Sequence, residues 1–289
     1  MSWHARAPEA VLPSWLRRGA ITLIGGFALV PVLFMVLLSV TPDDEVAGGG
    51  LWPTHFEFDN YVKLWSTVPL ASGLFNSMFV ALVAAIIATM FAVGAAYCLT
   101  RFTFIGRRPF LSSLVMVQSL PQTLLILPLF VVLASVGSAL GITIVGSRGG
   151  LILTYLSFAL PLATWVMVTY LRRIPESLEE AGLVDGLTRF GTLYRIVLPL
   201  SWPGMVVALV FSFLVGWNDV LFASVLTNPE TRTAAVQLQA LGQGVEGGAI
   251  PLYGQLMGAS TICAIPVVAL YLAFQRHLVG GLTSGGVKG

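Results

Sequence analysis

Six runs of about twenty or more mostly apolar residues set the limits on what this chain can fold into. They lie near Gly19–Val40, Leu74–Thr100, Phe110–Val136, Gly150–Leu171, Trp202–Leu226 and Gln255–Phe274. About 20 residues of helix cross a bilayer core of roughly 30 Å, so each run is long enough to span. Lipid offers no partner to a free backbone N–H or C=O, and the runs are too long and unbroken for barrel strands, so helices are expected. Charge agrees. Only 10% of the residues are charged, against about 25% in soluble domains. That is too little polar surface to cover a water-soluble body. The expected class is an all-α integral membrane protein with six transmembrane helices.

Loop charge predicts the orientation. The segments before the first run, at 101–109, at 172–201 and after the last run hold twelve of the fifteen Lys and Arg residues. The opposite set holds Lys63, Arg148 and Arg232. Basic loops stay in the cytoplasm, so both termini are predicted inside. The boundaries read as a cytoplasmic N-tail (1–18), a first helix (19–40), an external loop (41–73), a membrane domain (74–276) and a cytoplasmic C-tail (277–289). Arg17 and Arg18 precede the first run as in a signal peptide. The run continues for about 20 residues with no small-x-small cleavage site, so a retained helix is expected.

Several chemistries are absent from the sequence. A phosphate-cradling loop needs Gly-Lys followed by Ser or Thr, and neither Lys63 nor Lys288 offers it. His4, His55 and His277 fall in separate loops, so neither a metal site nor catalysis is predicted. Cys98 and Cys263 sit in apolar runs and are expected to be buried, inert thiols. The net charge of +2 gives no argument for a nucleic-acid partner. The chain is therefore expected to bind no cofactor itself and to take its energy from a partner or an ion gradient.

One polar island interrupts the oily chain: "PESLEEAGLVDGLTRFGTLYRIVLPL", Pro175 to Leu200. Pro175 suits the first turn of a helix, or Ser177 with Glu180 forms a capping box. Leu178, Ala181, Val184 and Leu187 recur at three-residue spacing and predict one apolar stripe. Gly186 can end this helix and Thr188 can start a second, with Phe190, Leu193, Val197 and Leu200 on one side. The pattern predicts two short helices with the greasy face towards the membrane and the charged face towards the cytoplasm. By itself it fits both a pair resting on lipid headgroups and a docking surface for a soluble partner.

The island also carries a signature. "EAGLVDG" followed after nine residues by "IVLP" resembles the EAA loop of ATP-binding-cassette (ABC) importer permeases, which reads Glu-Ala-Ala, two residues, Asp-Gly, nine residues, Ile-x-Leu-Pro. Glu180, Ala181, Asp185, Gly186, Ile196, Leu198 and Pro199 match at that spacing, and Gly182 replaces the second alanine. "GWNDVLFA" (216–223), "DNYVKLW" (59–65) and the tail "FQRHLVGGLTSGGVKG" are similar to segments of carbohydrate-importer permeases of the maltose-transporter MalG type. The likeness runs from about residue 18 to 289. It implies the type I ABC importer permease fold in the bacterial cytoplasmic membrane, N-in and C-in, with a cytoplasmic coupling helix. It also implies the partners: a second permease subunit, two ATPase subunits carrying ATP and Mg, and an extracytoplasmic sugar-binding protein. On this resemblance Glu180 pairs with basic groups of the ATPase, Asp185 and Gly186 shape the elbow, and Ala181 and Gly182 allow close approach. The tail 280–289 would reach between the ATPase subunits, and the external loop 227–253 would touch the binding protein.

Polar side chains inside the runs are the candidates for a substrate path, because such groups face a bundle interior or a wet cavity. Gln118 and Gln122 flank Pro121 and predict one kinked helix presenting amides inward. Trp217, Asn218 and Asp219 are placed in the outer half of the fifth helix, and Tyr155 and Trp165 on the fourth. Each could equally serve packing or hold helices together. The rival from another class is a proton-coupled secondary transporter using Asp219. A membrane scaffold would leave the polar set unexplained.

Overall fold

The computed structural model describes residues 13–50, 52–243 and 252–283. Its helices are α1 (Ser14–Ser39), α2 (Asp43–Ala47), α3 (Asn60–Thr67), α4 (Leu70–Arg101), α5 (Arg107–Ser119), α6 (Gln122–Leu140) and α7 (Arg148–Leu171). They continue with α8 (Glu176–Val184), α9 (Arg189–Thr192), a π-turn (Leu193–Val197), α10 (Leu198–Trp217), α11 (Leu221–Leu226), α12 (Ala234–Gln243) and α13 (Tyr253–Thr283). Among the described residues six helical stretches are long and apolar enough to cross a membrane: Trp15–Ser39, Leu70–Arg101, Gln122–Leu140, Arg148–Leu171, Arg189–Trp217 and Tyr253–His277.

The chain divides into two compact units, one of Met1–Ser66 with Leu241–Ile262 and one of Thr67–Ala240 with Cys263–Gly289. In the first, α1 is exposed along nearly its whole apolar length, as with Phe27 and Leu23. Its end is tied by the Asn-Tyr segment. Asn60 donates to the Ser39 and Thr41 carbonyls at 3.3 and 3.4 Å, and the Tyr61 and Ser39 hydroxyls meet at 2.7 Å. The Asp43 carboxylate accepts from the Gly254 N–H at 2.6 Å.

The second unit is built on α4, α7 and α10. Ala81, Ala84, Ala85, Ala88, Ala92 and Ala96 are fully buried on α4, one turn after another. Hydrocarbon does not drive two apolar helices together, so association in a bilayer rests on close contact, and small residues permit it. Ala88, Ala92 and Ala96 meet Ala159, Ala163, Met167 and Leu171 of α7 and Ala208 of α10 in one cluster.

Two of the six apolar runs differ from expectation. The third is two helices, not one kinked helix. Pro121 has no N–H to donate and forces the residue before it out of the helical region. Leu120 accordingly has φ −75° and ψ 131° and α5 ends there, while Pro128 stays inside α6. The fifth run breaks at Asn218–Val220, where the Asp219 carboxylate takes the N–H groups of Phe222 (3.3 Å) and Ala223 (2.9 Å). A side chain that satisfies the free N–H groups of a new helix ends the old one. Asp219 therefore lies between helices, not within the fifth. Cys98 is exposed on α4, contrary to expectation, and Cys263 is buried. The last helix runs to Thr283, into the segment assigned to the C-tail. Residues 284–289 of that tail, and 244–251 of the external loop, lie outside the described residues.

Candidate functional site

The island 172–201 folds as a two-helix elbow. Pro175, extended at φ −60° and ψ 134°, precedes α8. Ser177 therefore lies inside the helix and the capping box does not form. At the other end Gly186 adopts φ +86°, the left-handed conformation that closes a helix at little cost for glycine. The Gly186 N–H reaches the Leu183 carbonyl (3.1 Å) and the Leu187 N–H reaches that of Gly182 (2.9 Å), completing the closing turn. The Thr188 hydroxyl accepts from the Gly191 N–H at 3.1 Å and starts α9.

The apolar stripe of α8 faces away from the rest of its own unit. Leu178, Ala181 and Val184 stand on the exposed face, with Val184 87% exposed. The buried residues are Glu179 and Gly182. A Cβ on Gly182 would lie 2.6 Å from Ile196 Cδ1 and 3.4 Å from Leu187 Cδ1. The missing methyl group is thus filled by the chain's own Ile196, from the π-turn, and not held open for a partner. Glu180, Ala181, Asp185 and Gly186 are exposed, Ile196 and Leu198 are half-buried, and Pro199 is exposed at the start of α10.

What turns α8 is an ion pair. Arg101, the last residue of α4, places Nε 2.5 Å from Glu179 Oε1, and both side chains are about nine-tenths buried. The Tyr97 hydroxyl donates to Glu179 Oε2 at 3.1 Å. Arg101 Nη2 donates to the carbonyls of Leu171 (3.2 Å) and Ile174 (3.0 Å) at the end of α7. Glu176 lies 3.7 Å from Arg101 Nη1. A buried carboxylate must face its cation, because an unpaired one costs too much. Leu178 and Val184 are left on the outward face. Tyr97, Arg101 and Glu179 are absent from the sequence-based set. The one local hint is the three-residue step from Glu179 to Gly182, which shares a helical face.

The pathway candidates separate into two groups. Gln118 lies in the last turn of α5 and Gln122 begins α6. With Phe158, Leu162 and Val215 they line a cavity of about 140 Å³. The helix break, not a kink, brings the two amides together. The others do not join them. Tyr155 is 1% exposed and its hydroxyl donates to Asp219 at 3.0 Å. Trp217 is buried and stacked on Phe213, with ring centroids 5.4 Å apart. Asn218 and Trp165 are exposed. Tyr155 and Asp219 thus brace the start of α11, and Trp217 fills the core.

The external segment after α11 folds back on its own unit. The Asn76 amide donates to the Glu230 and Arg232 carbonyls (2.9 and 3.0 Å) and accepts from Arg148 Nε at 2.8 Å. Glu230 and Arg232 remain exposed.

Comparisons with known proteins agree with this arrangement. Residues 88–283 match the family model described as "Binding-protein-dependent transport system inner membrane component". The chain is 35% identical over 268 residues to the trehalose transport system permease protein SugB of Mycobacterium tuberculosis, covering 93% of this chain and 95% of that one. It is 33% identical over 274 residues to the trehalose/maltose transport system permease protein MalG of Thermococcus litoralis, covering 94% and 95%. The sulfoquinovosyl glycerol transport system permease protein SmoH of Agrobacterium fabrum is 33% identical over 273 residues, covering 93% and 92%. Among solved structures, a chain of a bacterial ABC transporter that imports the polysaccharide alginate superposes with a TM-score of 0.72 over 92% of this chain and 99% of that one. At 20% identity that likeness speaks for the fold alone. The matches give no support to a proton-coupled carrier built on Asp219. The six apolar helices, the elbow between the fourth and fifth of them and the family match together place this chain among the binding-protein-dependent transport system inner membrane components.

Proposed function

We propose that this chain is one permease subunit of an ATP-driven, binding-protein-dependent sugar importer of the bacterial inner membrane. It forms half of a translocation pathway and takes force from an ATPase through α8. The observation that carries the reading is the outward face of α8. Leu178, Ala181, Val184 and Glu180 stand free on a short helix whose other face is clamped by Arg101. An exposed apolar face on a rigid element marks a docking surface. The ATP and Mg belong to the partner, and no covalent step is assigned to this chain. Two ATPase copies, a second, related permease and an extracytoplasmic binding protein complete the assembly. Closure of the ATPase pair on ATP moves α8 as a lever and turns the cavity at Gln118 and Gln122 outward. The named relatives transport trehalose, maltose and a sulfoquinovosyl glycerol. A small glycoside fits that range, and Gln118, Gln122 and Phe158 on one cavity offer hydrogen bonds and an apolar face.

Glu180→Lys tests the docking role. The exposed side chain does not hold the elbow together, so the variant should insert normally while the partner ATPase no longer co-purifies. Normal co-purification and uptake would refute the assignment. Uptake that survives vanadate but collapses with an uncoupler would refute the energy source.

A further inference from the structure

We infer that Arg101 is a positioning residue for transport. It locks α8 to α4 and α7, so that displacement of the coupling helix becomes displacement of the cavity wall. The inference rests on the function proposed above.

The geometry is specific. One guanidinium joins three elements: its own helix α4, the Glu179 carboxylate of α8, and the carbonyls of Leu171 and Ile174 at the end of α7. The Leu171 carbonyl also accepts the Ile174 N–H, and a planar fork of N–H donors can reach both carbonyls while still pairing a carboxylate. Lysine, a point charge on a flexible stem, cannot reproduce that set. Tyr97, one turn earlier on α4, holds the second carboxylate oxygen, so Glu179 is gripped twice by one helix. The second arm of the elbow leans on the same place. The Arg189 guanidinium sits 5.5 Å from the centre of the Phe102 ring, and Phe102 meets Tyr97 edge-on at 6.0 Å. Both arms are thus referred to the end of α4.

The path inward is equally short. Beyond Arg101, α4 packs on α7 through the alanine cluster and Met167. On α7, Phe158 and Leu162 form a wall of the Gln118–Gln122 cavity. Interiors packed at this density transmit displacement instead of absorbing it. Surface ion pairs do not serve this purpose, since solvent and side-chain freedom soften them. This pair is about nine-tenths buried on both sides.

The test uses the complete transporter in membrane vesicles. The chain carries Cys98→Ser, which removes the exposed thiol, and Leu120→Cys, a reporter at the cavity. A membrane-impermeant maleimide is added from outside, with or without ATP and vanadate. In the parent chain, nucleotide should change the labelling rate about fivefold or more, the range of ordinary coupling between sites. Glu179→Gln keeps the shape of the side chain and removes its charge. It should retain the ATPase on co-purification yet reduce the nucleotide effect to less than about twofold. Arg101→Lys should fall between that variant and the parent. A purely structural role would lower the yield of complex without changing the response per assembled complex. A full nucleotide effect in both variants would overturn the inference. So would loss of the ATPase from Glu179→Gln, which would make the pair a docking element. A parent chain that holds no ATPase would instead remove the proposed function itself, and this inference with it.

Discussion

At one end of the α4–α7 pair an arginine of α4 closes on a carboxylate and on the last carbonyls of α7. At the other end an arginine of α7 closes on an amide of α4, Arg148 on Asn76, and also lies 5.6 Å over the Phe75 ring. The two ends use the same cation in mirror fashion and differ in its partner. Glu179 is a carboxyl group buried against a guanidinium, so removing Arg101 would strand it without its partner. Asn76 is neutral, and spends its two N–H groups on the carbonyls of Glu230 and Arg232. The charged end fixes the direction in which a short helix faces. The amide end fixes where a loop backbone runs, whatever side chains that loop carries. A charge gives orientation with a high penalty for error, and an amide gives placement with a modest one.

The sharpest way to break this contrast is Arg101→Met. Leaving Glu179 buried without its cation should cost about 3–5 kcal/mol, read as a lower unfolding midpoint in detergent. The double variant Arg101→Met with Glu179→Met should recover most of that loss, because a buried ion pair is often no more stabilising than apolar residues of similar volume. Loss of transport in a stable double variant would then separate positioning from stability. At the opposite end Asn76→Ala should cost about 1–3 kcal/mol, the price of stranding neutral hydrogen-bonding groups, by the same midpoint. An equal loss at both ends would erase the distinction drawn between charge and amide. The smallest effect belongs to Gly182→Ala. The gain in helix propensity is about 1 kcal/mol, and the new methyl group is crowded by the movable end of Ile196, with Leu187 and Thr192 at ordinary contact distance. A net change under about 1 kcal/mol is expected, with ATPase co-purification intact. A large loss would mean that Ile196 cannot yield and that the π-turn is rigid.

The elbow was legible because its signals are local. Gly186 at φ +86° and Thr188 capping Gly191 are decisions of single residues, visible as residue types at fixed spacing. The direction in which α8 faces was not legible. The apolar stripe shows which residues share a face, but the contact that fixes the opposite face joins Glu179 to Arg101, 78 residues away. The break at Pro121 was half legible. The proline is plain to read, yet kink and rupture differ only in whether neighbours hold the flanking helices to one axis. Asp219 gains its meaning from its partners. An acid inside an apolar run reads as a functional charge, whereas here it meets the first N–H groups of α11 and the Tyr155 hydroxyl.

The sequence by itself determined that this chain crosses a membrane as helices, that its basic loops share one side, and that one of those loops carries an elbow with the EAA spacing. These follow from solvent and from nearest neighbours, since length of apolar run, loop charge and turn chemistry each act within a few residues. Only the tertiary structure decided which face of α8 is presented, which amides line one cavity, and which polar residues brace helix ends. Those outcomes depend on pairing groups far apart in the chain. In a low-dielectric interior a distant partner, once buried, outweighs local hydrophobic pattern.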